Sequence, residues 1–349
     1  MSEVRAWIAA AALPLALLQG CGTMNAEPDL NSPTFRRTSQ LQEELRPEQA
    51  QLLAEWAVPY ARVASHVYCS YLKADDPEKA RKEDCHLFPA LSATGWAQLY
   101  DWRTILDAEE LGSGLEFMAF GRAKPDSRGE IVIGFRGTDA TSLADWRANL
   151  RWITRFLPLP GRDQYELVHR HAGQLVDQAL AHAQAQFPTA AGFDVYSTGH
   201  SLGGGLAQLL AYSDARVKGA VVFDPTPVTG YNNLVTDRQV NCSARVVRFY
   251  ERGEGLQYLR SVFRRFYSLS ENIQEVSFDF IHTGGNPIAN HSMTAFRAGL
   301  EAKAEVATTT ALPVTPLPGR PDCDCYRLRQ PETRNADAAV CVAVVSASP

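Results

Sequence analysis

The stretch D-V-Y-S-T-G-H-S-L-G-G-G-L-A-Q-L-L-A-Y, Asp194 to Tyr212, sets Ser201 between Gly199 and Gly203. A serine hydroxyl becomes a useful nucleophile only when a base takes its proton, and G-x-S-x-G suits a sharp turn that exposes that hydroxyl. The setting agrees. A strand-like run, Phe193 to Thr198, precedes the turn, and Leu202, Leu206, Leu209 and Leu210 mark one face of a helix behind it. The flanking glycines remove Cβ atoms where strand, turn and helix crowd together. The helix N-terminus favours negative charge developing beside the serine, as in acyl transfer. The plainer alternative is a glycine-rich turn with an unreactive serine.

The elements that would hold this turn can be read on both sides of it. Gly114 to Thr138 contains two apolar runs around a Pro/Asp/Gly turn, which predicts a hairpin feeding a sheet. Tyr165, Val168, Ala172, Leu175, Ala179 and Ala183 then recur at helical steps. After the serine, G-A-V-V-F, A-R-V-V-R-F-Y and E-V-S-F-D-F-I predict further strands. Upstream, Leu53, Trp56, Ala57, Tyr60, Val63, Ala64 and Val67 predict a helix that Pro59 should kink. Strand, helix, strand in this order gives βαβ units, and hence an α/β fold with a mainly parallel central sheet flanked by helices.

The wording G-H-S-L-G-G-G-L-A, with V-I-G-F-R-G-T-D-A-T-S-L-A-D-W-R-A-N-L upstream, resembles the class 3 lipase family of α/β-hydrolases of the fungal-lipase type. The likeness spans Leu41 to Ala307 in the order of elements, and is specific at Gly134–Thr138, Asp145–Leu150 and Gly199–Gly205. It implies an oxyanion hole from Thr138 and the backbone N–H of Leu202, each donor worth about 3 kcal/mol in the transition state. The triad order of the fold is Ser, then acid, then His. Asp224 stands one strand too early for the family's acid. Glu254, followed two residues later by Leu256, matches the family's spacing with Glu in place of Asp, and Glu251 is the alternative. The competing reading makes Glu254 a surface carboxylate paired with Arg252 or Arg260. For the base, His291 in N-H-S-M resembles the family's histidine segment and is preferred to His282, while His200 inside the turn is read as structural. In the family, the stretch after Thr138, with Trp146, Leu150, Trp152, Ile153, Phe156 and Leu157, holds a lid; core packing is the alternative.

The ends of the chain carry other signals. The apolar run Ala6–Leu18 is short for a membrane span and reads as a signal peptide over residues 1–20. L-L-Q-G-C resembles a lipobox, which predicts lipidation of Cys21 and anchoring of an exported protein to a bacterial envelope, at the outer membrane. Without lipidation it would be secreted. Residues 21–40 are polar and read as a tether, 41–306 as the hydrolase domain, and 307–349 as a Thr/Pro-rich linker with a cysteine-containing tail. Setting Cys21 aside from the seven cysteines leaves an even set, with Cys69 and Cys85 the favoured local disulfide. Metal ligation finds no matching spacing. A formal charge of −5 without a basic run argues against nucleic-acid binding.

The combined reading is a serine carboxylic-ester hydrolase, a lipase on acylglycerols, with Ser201, Glu254 and His291 as triad and no cofactor. A phospholipase A-type envelope enzyme is the nearer alternative. A catalytically idle hydrolase fold acting as a binding module is the more distant one.

Overall fold

The computed structural model describes residues 28–69, 91–124, 128–137, 164–229, 241, 243–263, 269–281, 287 and 289–305. Among the described residues nine strands build one sheet: β1 Phe35–Arg37, β2 Gln42–Glu44, β3 Ala97–Asp101, β4 Phe117–Ala123, β5 Gly129–Phe135, β6 Phe193–His200, β7 Val217–Phe223, β8 Arg245–Glu251 and β9 Ile273–Phe278. Their spatial order is β2-β1-β9-β8-β7-β6-β5-β4-β3. The centre, β5 through β9, is parallel, and antiparallel pairs close both sides.

Two helical layers cover this sheet because its central strands are apolar on both faces. On one face α2 (Gln164–Gln186) and α3 (Leu202–Ser213) pack with Ile131, Ile133, Phe135, Ala220 and Val222. On the other, α1 (Pro47–His66) and α5 (Met293–Glu305) pack with Val132, Val221, Phe223, Val247 and Phe249. Helix α1 comes very close to the sheet at Gly134, where an added Cβ would meet Val63 Cγ1 at 2.7 Å. Pro59, at which the sequence predicted a kink, lies inside α1, which runs to His66 as one element.

The polar stretch expected to be a tether up to residue 40 contributes β1 instead. Arg37 is bonded to Glu275 of β9 at 3.0 Å, and Arg36 pairs with Glu43 of β2. Charged pairs across the strands, rather than apolar alternation, hold this edge, which is why no hydrophobic pattern announced it. Asp29 N–H donates to Phe280 O at 3.1 Å, and Lys303 Nζ to Leu30 O at 2.7 Å, so ordered chain begins before the hairpin. Cys21, Cys85, Thr138, the expected lid, His282 and the tail lie outside the described residues. Among the described residues no helix is long and apolar enough to cross a membrane.

Candidate active site

The turn between β6 and α3 places Ser201 at φ 56° and ψ −123°, a conformation that costs a non-glycine residue energy and marks the strained elbow. Its backbone is pinned on both sides. Ser201 N–H donates to Phe223 O at 3.1 Å, and Thr226 N–H donates to Ser201 O at 3.0 Å. The sequence could adopt this turn only with small neighbours. A Cβ at Gly199 would stand 2.5 Å from the carbonyl of Gly203, and one at Gly203 would strike Phe135 O. Ser201 and Leu202 are half-buried, directly after the buried end of β6, Ser197–His200.

The oxyanion expectation can be followed as far as Gly137. An added Cβ there would lie 3.3 Å from Ser201 Cβ and 2.6 Å from Tyr68 Oη, so the F-R-G segment runs directly against the elbow. Thr138 comes next in the chain, outside the described residues. Leu202 is the first residue of α3, where backbone N–H groups have no acceptor within the helix.

Acid and base meet beyond the ends of β8 and β9. His291 closes a 3-10 turn, Ala289–His291, and its Nδ1 lies 2.7 Å from Glu254 Oε2. Both side chains are wholly buried. Glu254 occupies the loop before α4 (Leu256–Phe263), and the same Oε2 accepts the Leu256 N–H at 2.8 Å. Its other oxygen accepts from Arg260 Nη2, a buried ion pair. Burial on its own would raise the Glu254 carboxyl, but Arg260 and His291 together hold it below its ordinary range. The competing surface reading thus had one correct partner, Arg260, in the wrong environment: the pair is inside. Arg260 also caps the Pro225 carbonyl at 3.2 Å and stacks over the Tyr250 ring at 4.1 Å.

Glu251, the alternative acid, is engaged elsewhere. Its carboxylate accepts the N–H groups of Phe280 at 3.1 Å and Ile281 at 2.9 Å, fastening the end of β9 to β8. Burial pushes it up to about 8.

Two further residues complete the cluster. His200 Nδ1 is 2.9 Å from Tyr68 Oη, and its ring packs on that of His291 with centroids 4.5 Å apart. Burial, then the neighbouring His291 and Arg260, push His200 well below the usual imidazole range, which favours its neutral form. Asp224, directly after β7, has φ 40° and no exposed surface. One polar atom from each of His200, Asp224 and His291 lies within 4.8 Å of the others. His291 Nδ1 is already committed to Glu254 and Arg260 brings positive charge nearby, so this grouping suits acid–base work better than a cation. The sequence offered Arg260 only as a surface partner of Glu254, and the signal for its place in the site was Glu254 standing just ahead of a short apolar-periodic run, as an acid at a helix start does.

A nucleophile elbow at the end of a central parallel strand, with carboxylate and histidine arriving after later strands, defines an α/β-hydrolase. Residues 132–223 match the family model described as Lipase (class 3). The match runs from β5 through β7, so it contains Ser201 and stops short of Glu254 and His291. An ester hydrolase of lipase type is the activity class this supports. Among solved structures, lipase II from Rhizopus niveus aligns at 16% identity and TM-score 0.35, over 63% of this chain and 75% of its own. The lipase from Rhizopus microsporus var. chinensis aligns at 16% identity and TM-score 0.40, over 78% and 96%. Likenesses at this level bear no weight for the site. No curated protein matches the chain.

Proposed function

We propose that the protein is a serine hydrolase of carboxylic esters that acts on acylglycerols, with Ser201 as nucleophile, His291 as base and Glu254 as the acid that orients it. The observation that carries this reading is the 2.7 Å contact between His291 Nδ1 and Glu254 Oε2, with Ser201 held at φ 56° directly after His200, whose ring packs on that of His291. Because Nδ1 faces the carboxylate, Nε2 is the nitrogen left to receive the Ser201 proton. Ser201 Oγ attacks the acyl carbonyl and its proton passes to His291. The oxyanion is met by the N–H of Leu202 and, from the resemblance, by Thr138. His291 then protonates the leaving alcohol, and water, deprotonated by the same imidazole, clears the acyl-enzyme.

Buried Arg260 has a definite part in this scheme. It keeps Glu254 ionised in a setting where burial alone would protonate it, and an ionised carboxylate is what fixes the imidazole tautomer. We also propose that export and a lipid on Cys21 bring the enzyme to an envelope membrane, where its substrate would be at hand. Hydrolysis of emulsified triacylglycerol and of short-chain p-nitrophenyl esters tests the reading. Wild type should release fatty acid, and Ser201→Ala should fall to the uncatalysed rate. Equal rates for the two proteins would refute it.

A further inference from the structure

His291 is attended by a second carboxyl group, that of Asp224, which the proposed mechanism does not use; a role for it rests on Ser201 and His291 being nucleophile and base. Asp224 is fully buried. Its Oδ1 accepts the Glu251 N–H at 2.8 Å, while Oδ2 has no hydrogen-bond partner among the described residues. A buried carboxyl oxygen without a partner is costly, and a non-glycine residue at φ 40° adds strain to the same position. Joining β7 to β8 needs only one acceptor, which asparagine would supply equally well. What the carboxyl adds is the ability to ionise next to an imidazole.

The charged and titratable groups around it come from every neighbouring element. His200 lies at the end of β6, Glu251 at the end of β8, Glu254 in the loop after it, Arg260 on α4, and His291 in the 3-10 turn. Burial and the negative charge of Glu254 hold Asp224 well above the usual carboxylate range, and Arg260 pulls the other way. The two acids are therefore driven apart, Glu254 towards its charged form and Asp224 towards its protonated one. Neutralising Glu254 removes the repulsion and leaves Arg260 without its carboxylate partner, and both changes favour ionisation of Asp224. We infer that Asp224 is a second positioning acid for His291, sharing the imidazole with Glu254 and standing in for it when the charge of Glu254 is lost.

The test is the double-mutant cycle of Asp224→Asn and Glu254→Gln in the full chain, reading kcat and its pH profile on a soluble ester, with folding checked by circular dichroism. Asp224→Asn should cost less than about tenfold, and Glu254→Gln about ten- to a hundredfold, with an acid limb displaced to higher pH because Asp224 must first ionise. The double variant should lose at least about a further hundredfold, well beyond the product of the single losses. A double variant no worse than Glu254→Gln, or a Glu254→Gln acid limb left where wild type has it, would overturn the inference. If the unpaired Arg260 unfolds Glu254→Gln, the same comparison on a Glu254→Gln/Arg260→Gln background should show the same hundredfold dependence on Asp224. His291→Asn separates the two levels: its activity must vanish if the underlying reading holds, whatever the cycle shows.

Discussion

Gly203 shows how little freedom the elbow allows. A methyl group there would be driven into the backbone where β5 ends, at Phe135 O, with Arg136 C at 2.8 Å. Gly203→Ala should therefore destabilise the fold by about 1–3 kcal/mol, as overpacking does. Its ester hydrolysis should fall further than the loss of folded protein explains, because relief of the clash must move Ser201. Urea melts read alongside rates on folded protein check this, and an unshifted melt with full activity would show that the turn is looser than described. Arg260 makes the complementary point about charge. Arg260→Leu leaves the wholly buried Glu254 with His291 as its remaining side-chain partner among the bonds described, and should cost about 3–5 kcal/mol, the usual penalty for breaking a buried pair from one side. A melt within experimental error of wild type would mean that Glu254 is neutral in the folded protein. At this scale the sequence was most legible at Ser201, where Gly199, Ser201 and Gly203 stand together in one short motif between a strand-like and a helical run. It was least legible at Glu254, whose partners Arg260 and His291 are assembled by the tertiary fold.

The strand ends above the site impose a pH dependence on the elements themselves. Glu251 joins the end of β8 to the chain leaving β9, and its folded value of about 8 lies above the ordinary 4.5. A raised folded value means that the folded state holds the proton more tightly. The contribution to stability is thus complete below about 4.5 and is lost as pH climbs through about 8. Asp224 has the same sign. His66 has the opposite one, since burial lowers it from 6.5 to about 4, so its contribution is present above 6.5 and disappears as pH falls towards 4. Melting temperature should accordingly decline on either side of a mildly acidic maximum. Glu251→Gln should flatten the alkaline side, and an unchanged slope there would assign the decline to other groups. The central strands and long helices were legible because periodicities of two and 3.6 are written into them by burial. The hairpin β1–β2 and the short helix α4 were not, since charged cross-strand pairs hold the first and the second has only eight residues in which to show a period.

For the whole molecule, the N-terminal stretch ties the two ends of the fold together. Residues 35–37 extend the sheet past β9, and Asp29 and Leu30 are bonded to the chain after β9 and to α5, the two segments that flank His291. Any flexible tether to a lipid on Cys21 must therefore be shorter than its composition suggested, ending before Asp29. Deleting residues 28–44 should lower the melting temperature by several degrees and reduce kcat more than KM, because the loop bearing His291 loses its outer support. A deletion variant that melts and turns over like wild type would restore the long tether. We propose that the fold as a whole serves to hold Ser201, His291 and Glu254 in register from three separate strand ends. The most direct test of that claim is reaction of the full chain, in detergent, with a fluorophosphonate, followed by mass spectrometry of the adduct. One residue, Ser201, should be phosphonylated, with labelling lost in His291→Asn. Folded protein that remains unlabelled, or that is labelled equally well without His291, would contradict it.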